Sequence, residues 1–255
     1  MEISVCIAAY NGYDYIANQI QTILPQLGPR DELIIVDDCS SDNTVDVIKS
    51  IKDPRLVLVK NAINLGHVRT FEKAIRMATK EIIVLSDQDD LWPLDRIKEI
   101  KSAFMASNAS VVVGNLQEFT SSTDNRMCFG RNMQLDPRQS FQLIANLAGI
   151  VLGRRPYYGS AMAFTSKLKT ILLPFPAYVE SHDIYIAMAG IIHGGIFHLG
   201  KCVTYRRIHC SNLTPLKRRK IAIVFKSRFR LIRSMLTLLL VRPDGGATHI
   251  RKSQS

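Results

Sequence analysis

The sequence lacks the glycine-rich signatures of the commonest nucleotide-binding sites. No Gly-x-Gly-x-x-Gly follows the first strand-like segment, which argues against a nicotinamide or flavin dinucleotide site. No Gly-x-x-x-x-Gly-Lys-Ser/Thr occurs either, which argues against a P-loop. The five cysteines are scattered and contain no Cys-x-x-Cys pair, so neither a disulfide framework nor a zinc knuckle is indicated; they are Cys6, Cys39, Cys128, Cys202 and Cys210.

The chain also has no long uninterrupted apolar run. The most apolar stretch, residues 221–241, is broken by Lys226, Arg228, Arg230 and Arg233 and makes a poor membrane span. The first residues carry Glu2 and no basic segment, so we expect no secretory signal and a cytoplasmic protein. With 255 residues, 47% of them hydrophobic and 22% charged, the chain is expected to form one folded domain with at most a small appendage.

Acidic residues are absent from residues 184–243, whereas twelve lysines and arginines lie there. This segment accounts for the net charge of +11, and the rest of the chain is close to neutral. A helix is predicted over residues 215–241, with one apolar and one basic face. The apolar face carries Phe225, Phe229, Ile232 and Leu236, and the basic face carries Lys226, Arg230, Arg233 and Thr237.

Such a helix suits an anionic membrane surface, which places the protein at the inner face of the cell membrane. The alternative is a helix that docks on the domain and leaves its basic face in solvent. Nucleic acid is a poor fit as a partner because aromatic residues are not interleaved with the charges.

Apolar strand-like and helix-like segments alternate regularly in the first half, which predicts a mostly parallel sheet covered on both faces. The predicted strands are residues 3–9, 32–36, 56–59, 82–85 and 110–114, and the helices are 15–27, 45–51, 68–78 and 94–105. The second half is less regular. We expect a flexible insertion at 120–140, helices near 141–147 and 184–192, and strands at 161–164 and 196–204.

Acidic side chains follow two of the predicted strands, where open α/β sheets bind ligands. Asp87, Asp89 and Asp90 lie within four positions and would repel one another unless a cation compensates. Carboxylates of this kind suit Mg²⁺ or Mn²⁺ bridged to substrate phosphates; the alternative is a capping turn before the next helix. Of Asp37 and Asp38, one could cap a helix while the other bonds a nucleoside ring or ribose hydroxyl.

Four motifs in this order resemble family 2 glycosyltransferases with the GT-A fold. They are Ser4-Val-Cys-Ile-Ala-Ala-Tyr-Asn11, Ile35-Val-Asp-Asp-Cys-Ser-Ser-Asp-Asn-Thr44, Asn64-Leu-Gly66 and Val84-Leu-Ser-Asp-Gln-Asp-Asp-Leu-Trp92. Segments of the second half, including His182-Asp183 and Arg206-Arg-Ile-His-Cys-Ser-Asn212, are similar to a rhamnosyltransferase-like branch. Arg206 departs from that pattern, in which tyrosine is usual, so the donor sugar is less well indicated than the reaction class.

The resemblance implies a single GT-A domain, Rossmann-like with a mostly parallel sheet, over residues 1–214. Its nucleotide-binding half would be 1–115 and its acceptor half 116–214, followed by a basic amphipathic helix and tail at 215–255. The implied reaction inverts the anomeric centre. A sugar such as rhamnose or another hexose would pass from a nucleoside-diphosphate sugar to a hydroxyl acceptor, a lipid-linked glycan for a surface polysaccharide.

Site residues follow from the same resemblance. The nucleoside pocket would be lined by Ala8, Tyr10 and Asp38. Asp87 and Asp89 would form the Asp-x-Asp pair, with Asp89 on Mg²⁺ or Mn²⁺ and Asp87 on the ribose or the metal. His209 would lie near the diphosphate as a further metal ligand, although a lone histidine is often structural.

Asp183 would be the general base that deprotonates the acceptor, because a hydroxyl is a poor nucleophile without a nearby carboxylate. Its alternative role is the N-cap of the following helix, and Glu180 is the reserve candidate for the base. Two other classes stay open: a metal-dependent nucleotidyltransferase, and a non-catalytic nucleotide-sugar-binding protein recruited to membranes.

Overall fold

One mixed sheet of eight strands organises the computed structural model, which describes residues 1–121, 127–209 and 221–241. The strands are β1 (Ile3–Ala9), β2 (Glu32–Asp37), β3 (Leu56–Lys60), β4 (Ile82–Asp87), β5 (Val111–Ser121), β6 (Met127–Met133), β7 (Met162–Thr165) and β8 (Ile196–Arg207). Their order is β3-β2-β1-β4-β7-β5-β6, and β8 pairs with β5.

The helices alternate with the strands much as the periodicity predicts. They are α1 (Ile16–Ile23), α2 (Thr44–Ser50), α3 (His67–Met77), α4 (Arg96–Ser107), α5 (Leu143–Val151), α6 (Lys169–Leu172), α7 (His182–His193) and α8 (Ile221–Leu240). Buried side chains of α3, α5 and α7 pack on one face of the sheet, and those of α1 and α4 pack on the other. A sheet covered on both faces, as a GT-A fold requires, is therefore confirmed.

Strand direction brings distant parts of the sequence to one edge of the sheet. β3, β2, β1 and β4 are mutually parallel, while β7 runs antiparallel to both β4 and β5. β5 and β8 consequently run in the same direction as β1, with β8 parallel to β5. The carboxyl ends of β1, β2, β4 and β8 therefore lie at one edge, with Ala8 in register with Asp87.

The expected flexible insertion at 120–140 is wrong for most of its length. β5 continues to Ser121, and residues 127–133 form β6, which pairs antiparallel with it. The polar composition of residues 120–140 suggested a loop, but an antiparallel strand pair needs only one buried face and can be polar on the other. Residues 122–126 lie outside the described part of the chain, as does the predicted domain boundary after residue 214.

Helix α8 docks on the domain through a face that its apolar periodicity does not single out. Ser234 and Leu238 are buried and Leu231 and Met235 are partly buried against the core. The predicted apolar face points outward instead, with Phe225 72% and Phe229 70% exposed. The helix is apolar on two sides, so amphipathic patterning alone does not identify the docking face.

Some basic side chains of α8 also contact the domain, whereas Lys226 and Arg233 of the predicted basic face are exposed. Arg228 Nη1 donates to the Ile150 carbonyl at 3.1 Å, and Arg230 forms an ion pair with Glu180. The guanidinium of Arg233 lies 4.0 Å from the ring centre of Tyr178. Among residues 1–121, 127–209 and 221–241, no helix is both long enough and apolar enough to cross a bilayer.

The orientation of α8 is tested by two leucines two positions apart on the same helix. Leu238 is fully buried, whereas Leu236 is 53% exposed. Leu238→Ala should lower the free energy of unfolding by about 2–5 kcal/mol because it leaves a cavity. Leu236→Ala should change it by less than about 0.5 kcal/mol. Denaturant titration of both variants measures this; equal losses would contradict the docking described here.

Candidate active site

Gln88 ties the end of β1 to the acidic turn after β4. Its side-chain oxygen accepts a hydrogen bond from the Tyr10 backbone N–H at 2.9 Å, and its amide nitrogen donates to the Tyr10 carbonyl at 3.0 Å. Gly12 makes room for this amide, since a Cβ there would lie 2.3 Å from Gln88 Oε1. Gln88 was not among the predicted site residues, yet it holds Tyr10 next to Asp87 and Asp89.

Asp38 organises the loop beside the predicted nucleoside pocket. Its carboxylate accepts hydrogen bonds from the Asn61 side chain at 2.9 Å and from the backbone N–H groups of Leu65 and Gly66 at 2.8 Å each. Burial alone would raise the pKa of Asp38, but these hydrogen bonds outweigh it and hold the pKa below its ordinary value. The Thr70 side chain also hydrogen-bonds this carboxylate, so contacts within the protein use about all four acceptor positions of its two oxygens.

The capping alternatives for the acidic residues fail on geometry. Neither Asp37 nor Asp38 bonds to the first turn of α2; Asp42 accepts from the Thr44 N–H at 3.0 Å instead. Helix α4 has Asp95 as its N-cap residue, so the cluster at 87–90 does not cap it. Helix capping therefore does not account for these carboxylates.

The acidic cluster holds its carboxyl groups where negative charge is unfavourable. Burial, together with the nearby charges of Asp89 and Asp183, raises the pKa of Asp87 to about 7. Burial, with the charges of Asp87 and Asp89, also raises the pKa of Asp90 well above its usual range. Asp183 is distant in sequence but lies near the carboxyl end of β4, since a Cβ at Gly159 would be 3.4 Å from Asp183 Cβ and 3.8 Å from Leu85 Cδ1.

Arg96 supplies the countercharge beneath this cluster, and the sequence reasoning missed it. Its side chain is fully buried, donating to Thr204 Oγ1 at 2.7 Å and to the Leu85 carbonyl at 3.0 Å. Its guanidinium lies 4.1 Å from the ring centre of Trp92. Burial lowers the pKa of Arg96 to about 9, while the charges of Asp90 and Asp87 act in the opposite direction. An arginine in the first turn of α4, directly after the acidic motif, was the available signal.

The end of β8 closes the cluster from the other side. His209 Nε2 lies 2.8 Å from Asp89 Oδ2, and the imidazole stacks on the Tyr15 ring with centroids 4.8 Å apart. The Arg207 backbone N–H donates to Asp90 Oδ1 at 3.1 Å, and its side-chain Nε donates to the Asp89 carbonyl at 3.1 Å. The structure therefore brings together the two residues predicted to bind metal.

This donor set fits a divalent cation that arrives with a diphosphate. Within the described parts of the chain, no group of three or more histidine, cysteine, aspartate or glutamate side chains could hold an ion by itself. Mg²⁺ is commonly held by one or two carboxylates together with substrate phosphates, and Asp89 with His209 is a pair that substrate phosphates would have to complete. The raised pKa of Asp87 marks negative charge that a cation would offset.

Asp183 is held in place in the first turn of α7. Ser181 occupies the N-cap position but makes no side-chain cap bond, and the Asp183 carboxylate satisfies one N–H of that turn, so a capping role stays open beside the catalytic one. Asp183 Oδ1 accepts from the Ile184 N–H at 2.8 Å and from the Ser181 hydroxyl, and Oδ2 accepts from the Gly159 N–H at 3.2 Å. Glu180, the reserve candidate, turns toward α8 and its carboxylate meets Arg230 and Ser227.

A buried histidine beside Asp183 was also missed. His182 stacks on Phe71 with ring centroids 4.2 Å apart, and burial lowers its pKa to about 4, so the ring is neutral. Neither ring nitrogen has a hydrogen-bond partner among the described residues. A single histidine next to an acid offers little in sequence to separate it from a packing residue.

The family model for glycosyl transferase family 2 matches residues 4–158, and the chain belongs to that family. The matched region contains β1 to β5, Asp38 and the acidic cluster, but it ends before Asp183 and His209. The placement of those two residues therefore rests on the geometry given above.

Curated relatives match parts of this chain. It is 37% identical over 95 residues to the UDP-Glc:alpha-D-GlcNAc-diphosphoundecaprenol beta-1,3-glucosyltransferase WfaP of Escherichia coli, covering 37% of this chain and 38% of WfaP. It is 28% identical over 141 residues to the dTDP-rhamnosyl transferase RfbG of Shigella flexneri, covering 52% and 46%. The matches span less than half the length of either relative.

The fold is shared with a solved structure. TarS residues 1–349 of S. aureus, in complex with UDP-GlcNAc, matches with a TM-score of 0.72 over 95% of this chain and 68% of that chain. The sequences are 17% identical, so this likeness shows the GT-A fold alone.

The buried charge of Asp87 predicts an unusual pH dependence of stability in chelator. The folded pKa is about 7 and the unfolded value about 4, so this group favours folding below about pH 4 and loses that contribution as the pH rises to about 7. Asp87→Asn should therefore raise the melting temperature at pH 8 and have a smaller effect at pH 4.

The matched control is Asp46→Asn, an exposed carboxylate on α2. Adding Mn²⁺ with UDP should raise the melting temperature of the unsubstituted protein at pH 8 more than that of Asp87→Asn. If the melting temperatures of Asp87→Asn and the unsubstituted protein differ by the same amount at pH 8 and at pH 4, the charge assignment is contradicted.

Proposed function

We propose that the protein is an inverting, divalent-metal-dependent glycosyltransferase that moves a hexose, rhamnose among the candidates, from a nucleoside-diphosphate sugar to a hydroxyl acceptor. The acceptor proposed is a lipid-linked glycan of a surface polysaccharide. The observation that carries the proposal is the approach of Asp183 to the carboxyl end of β4, which bears Asp87: Gly159 donates to Asp183 and also lies against Leu85 of β4. Metal-binding carboxylates and a separate base carboxylate are the two groups that such a transfer needs.

The relatives support the substrate classes. WfaP is named for transfer from UDP-Glc to a diphosphoundecaprenol-linked sugar, and RfbG is named for a dTDP-rhamnosyl donor. Structures of TarS, which share this fold, are titled as complexes with UDP and with UDP-GlcNAc. All three names support a nucleotide-sugar donor, and the name of WfaP supports a lipid-linked acceptor.

On this proposal the donor's nucleoside lies against Ala8, Tyr10 and Asp38. Asp89 and His209 hold Mg²⁺ or Mn²⁺, and Asp87 contacts the ribose or the metal. The cation would offset the negative charge that develops on the leaving diphosphate.

Asp183 acts on the acceptor. Its carboxylate is oriented by the Gly159 and Ile184 N–H groups, and it takes the proton of the acceptor hydroxyl as that oxygen attacks the anomeric carbon. The hydroxyl approaches opposite the leaving diphosphate, so the anomeric configuration inverts. Because both oxygens accept hydrogen bonds in the protein, the carboxylate is already oriented before the acceptor binds.

The outward face of α8 is proposed to meet an anionic membrane surface at the inner face of the cell membrane. Phe225, Phe229, Ile232, Leu236 and Leu239 form an exposed apolar stripe, flanked by exposed Lys226 and Arg233. An apolar stripe with flanking basic residues suits insertion at the level of lipid headgroups. Arg228 and Arg230 already contact the domain, so fewer basic side chains of α8 are left to bind anionic lipid. Insertion of the apolar stripe would therefore contribute a larger share of the membrane-binding free energy than the number of basic residues suggests.

Substitution of Asp183 tests the catalytic assignment. Asp183→Asn keeps one acceptor oxygen for the Ile184 N–H but loses the acceptor for the Gly159 N–H, and it cannot take a proton, so transfer should slow by about a hundredfold or more while donor affinity is kept. Asp183→Ala should lose transfer and also stability. Product analysis with Mn²⁺ and a panel of UDP-, dTDP- and GDP-sugars measures turnover, with chelator as the blank.

The released product separates the rival classes in the same experiment. A glycosyltransferase releases nucleoside diphosphate, a nucleotidyltransferase releases pyrophosphate, and a non-catalytic binding protein releases neither. Full activity of Asp183→Asn would assign the base role to another residue, and transfer undiminished in chelator would remove the metal from the proposal.

Vesicle binding tests the outward face of α8. Phe229→Ser should weaken binding to anionic vesicles by about tenfold or more, because one inserted aromatic side chain is worth about 1.5–3 kcal/mol. Met105→Ser, which alters an exposed apolar residue of α4, is the matched control and should bind normally. Co-sedimentation at low and high salt measures both; equal binding of the two variants would exclude the stripe as the membrane contact.

A further inference from the structure

A cleft of about 440 Å³ lies between α8 and the beginning of α7. One part of its wall is apolar and is formed by Ile184, Met188, Val224 and Leu231. Another part is polar and includes Ser227, Arg228 and Arg230 of α8. A ligand that filled the cleft would therefore need both a hydrocarbon part and an anionic part.

At the polar part of the cleft, the protein supplies an anion of its own. The Glu180 carboxylate forms an ion pair with Arg230 and accepts a hydrogen bond from Ser227 Oγ at 3.3 Å. The Glu180 side chain is 49% exposed and that of Arg230 is 32% exposed, so this pair is open to solvent and weak. A phosphate group, which binds guanidinium through two parallel hydrogen bonds, could take the place of the carboxylate.

The cleft also borders the proposed base. Ser181 lines the cleft, and its hydroxyl donates to Asp183 Oδ1. Ile184, whose backbone N–H donates to the same oxygen, lines it as well. A ligand held in the cleft by its anionic part would therefore have its next groups beside Asp183.

We infer that this cleft binds the diphosphate and the first isoprene units of a lipid-linked acceptor, with the phosphate replacing Glu180 on Arg230. Arg228 and Ser227 would add donors to the phosphate, and the apolar wall would contact the isoprene chain. The sugar attached to the diphosphate would then present its hydroxyl to Asp183. The inference rests on the proposed function, because it locates that function's acceptor.

Two substitutions with opposite expected effects test whether a phosphate group replaces Glu180 on Arg230. Both are made in the full chain, and calorimetry measures the binding of farnesyl diphosphate. Arg230→Gln should weaken binding by about tenfold, since it removes the guanidinium. Glu180→Gln should tighten binding several-fold, since it frees Arg230 from its internal partner. A purely structural ion pair predicts no tightening in Glu180→Gln.

Matched controls are Lys226→Gln, an exposed cation of α8 outside the cleft lining, and Glu81→Gln, an exposed carboxylate with a 66% exposed side chain. Both should bind the probe as the unsubstituted protein does, which separates a local exchange from a change in net charge. Glu180→Gln that binds no tighter, or Arg230→Gln that binds equally well, would overturn the inference.

Further measurements distinguish a prenyl diphosphate from a free phosphate or a lipid headgroup as the ligand. They also distinguish failure of this inference from failure of the proposed function. Inorganic pyrophosphate should bind more weakly than farnesyl diphosphate, and anionic vesicles should not discriminate between Glu180→Gln and the unsubstituted protein. If the vesicles alone discriminate, the cleft binds lipid headgroups and the inference fails. In transfer assays, Arg230→Gln should raise the KM for a prenyl-diphosphate acceptor and leave donor affinity unchanged.

If Arg230→Gln leaves both transfer and the KM for that acceptor unchanged, the acceptor does not bind in the cleft, but the proposed function still stands. Absence of nucleoside diphosphate release with every acceptor would remove the function. The two failures are therefore distinguishable.

Discussion

The buried negative charge at the end of β4 is the constraint on which the site depends. Asp90 is 2% exposed and Asp87 lies beside it, so both carboxylates lose hydration that their neighbours must replace. Arg96 reaches the cluster from α4 through hydrogen bonds to β4 and β8, and the Arg207 N–H completes the contact to Asp90. Removing one member of such an arrangement leaves an uncompensated buried charge, which usually costs more than the pair itself contributes.

Strand direction explains how Asp183 reaches this cluster. β7 runs antiparallel to β4, with Ala163 in register with Val84, so β7 begins at the edge where β4 ends. The turn that leads into β7 contains Gly159, whose N–H donates to Asp183. A Cβ at Gly159 would lie 3.1 Å from His182 Nε2, so a residue without a side chain lets α7 approach this edge closely. One reversed strand in a mostly parallel sheet thus joins the donor half to the acceptor half.

The sequence predicted the parallel half of the sheet well because its strands are short, apolar and separated by periodic helices. β1 matches its predicted bounds, and β2, β3 and β4 extend one or two residues beyond theirs. Long-range partnerships were not predictable in the same way. Gln88 and Arg96 act through contacts that only the folded chain creates, and the polar residues of 120–140 hid a strand pairing. The docking face of α8 could not be predicted from the sequence because two of its faces are apolar, and only tertiary packing chooses between them.

Helix α8 contributes to the core, to the proposed acceptor cleft and to the proposed membrane contact. Its inner face packs on the core through Leu238, its flank lines a cleft with Arg230, and its outer face exposes Phe229. A lipid-linked substrate held at a membrane surface has its hydrocarbon in the bilayer and its sugar in water, with the diphosphate between them. If its outer face meets lipid as proposed, α8 would span that same sequence of environments, because its flank lines the cleft beside Asp183. The apolar exposure that would be a solubility liability on an isolated domain is therefore explained if the acceptor is delivered from the bilayer side of α8.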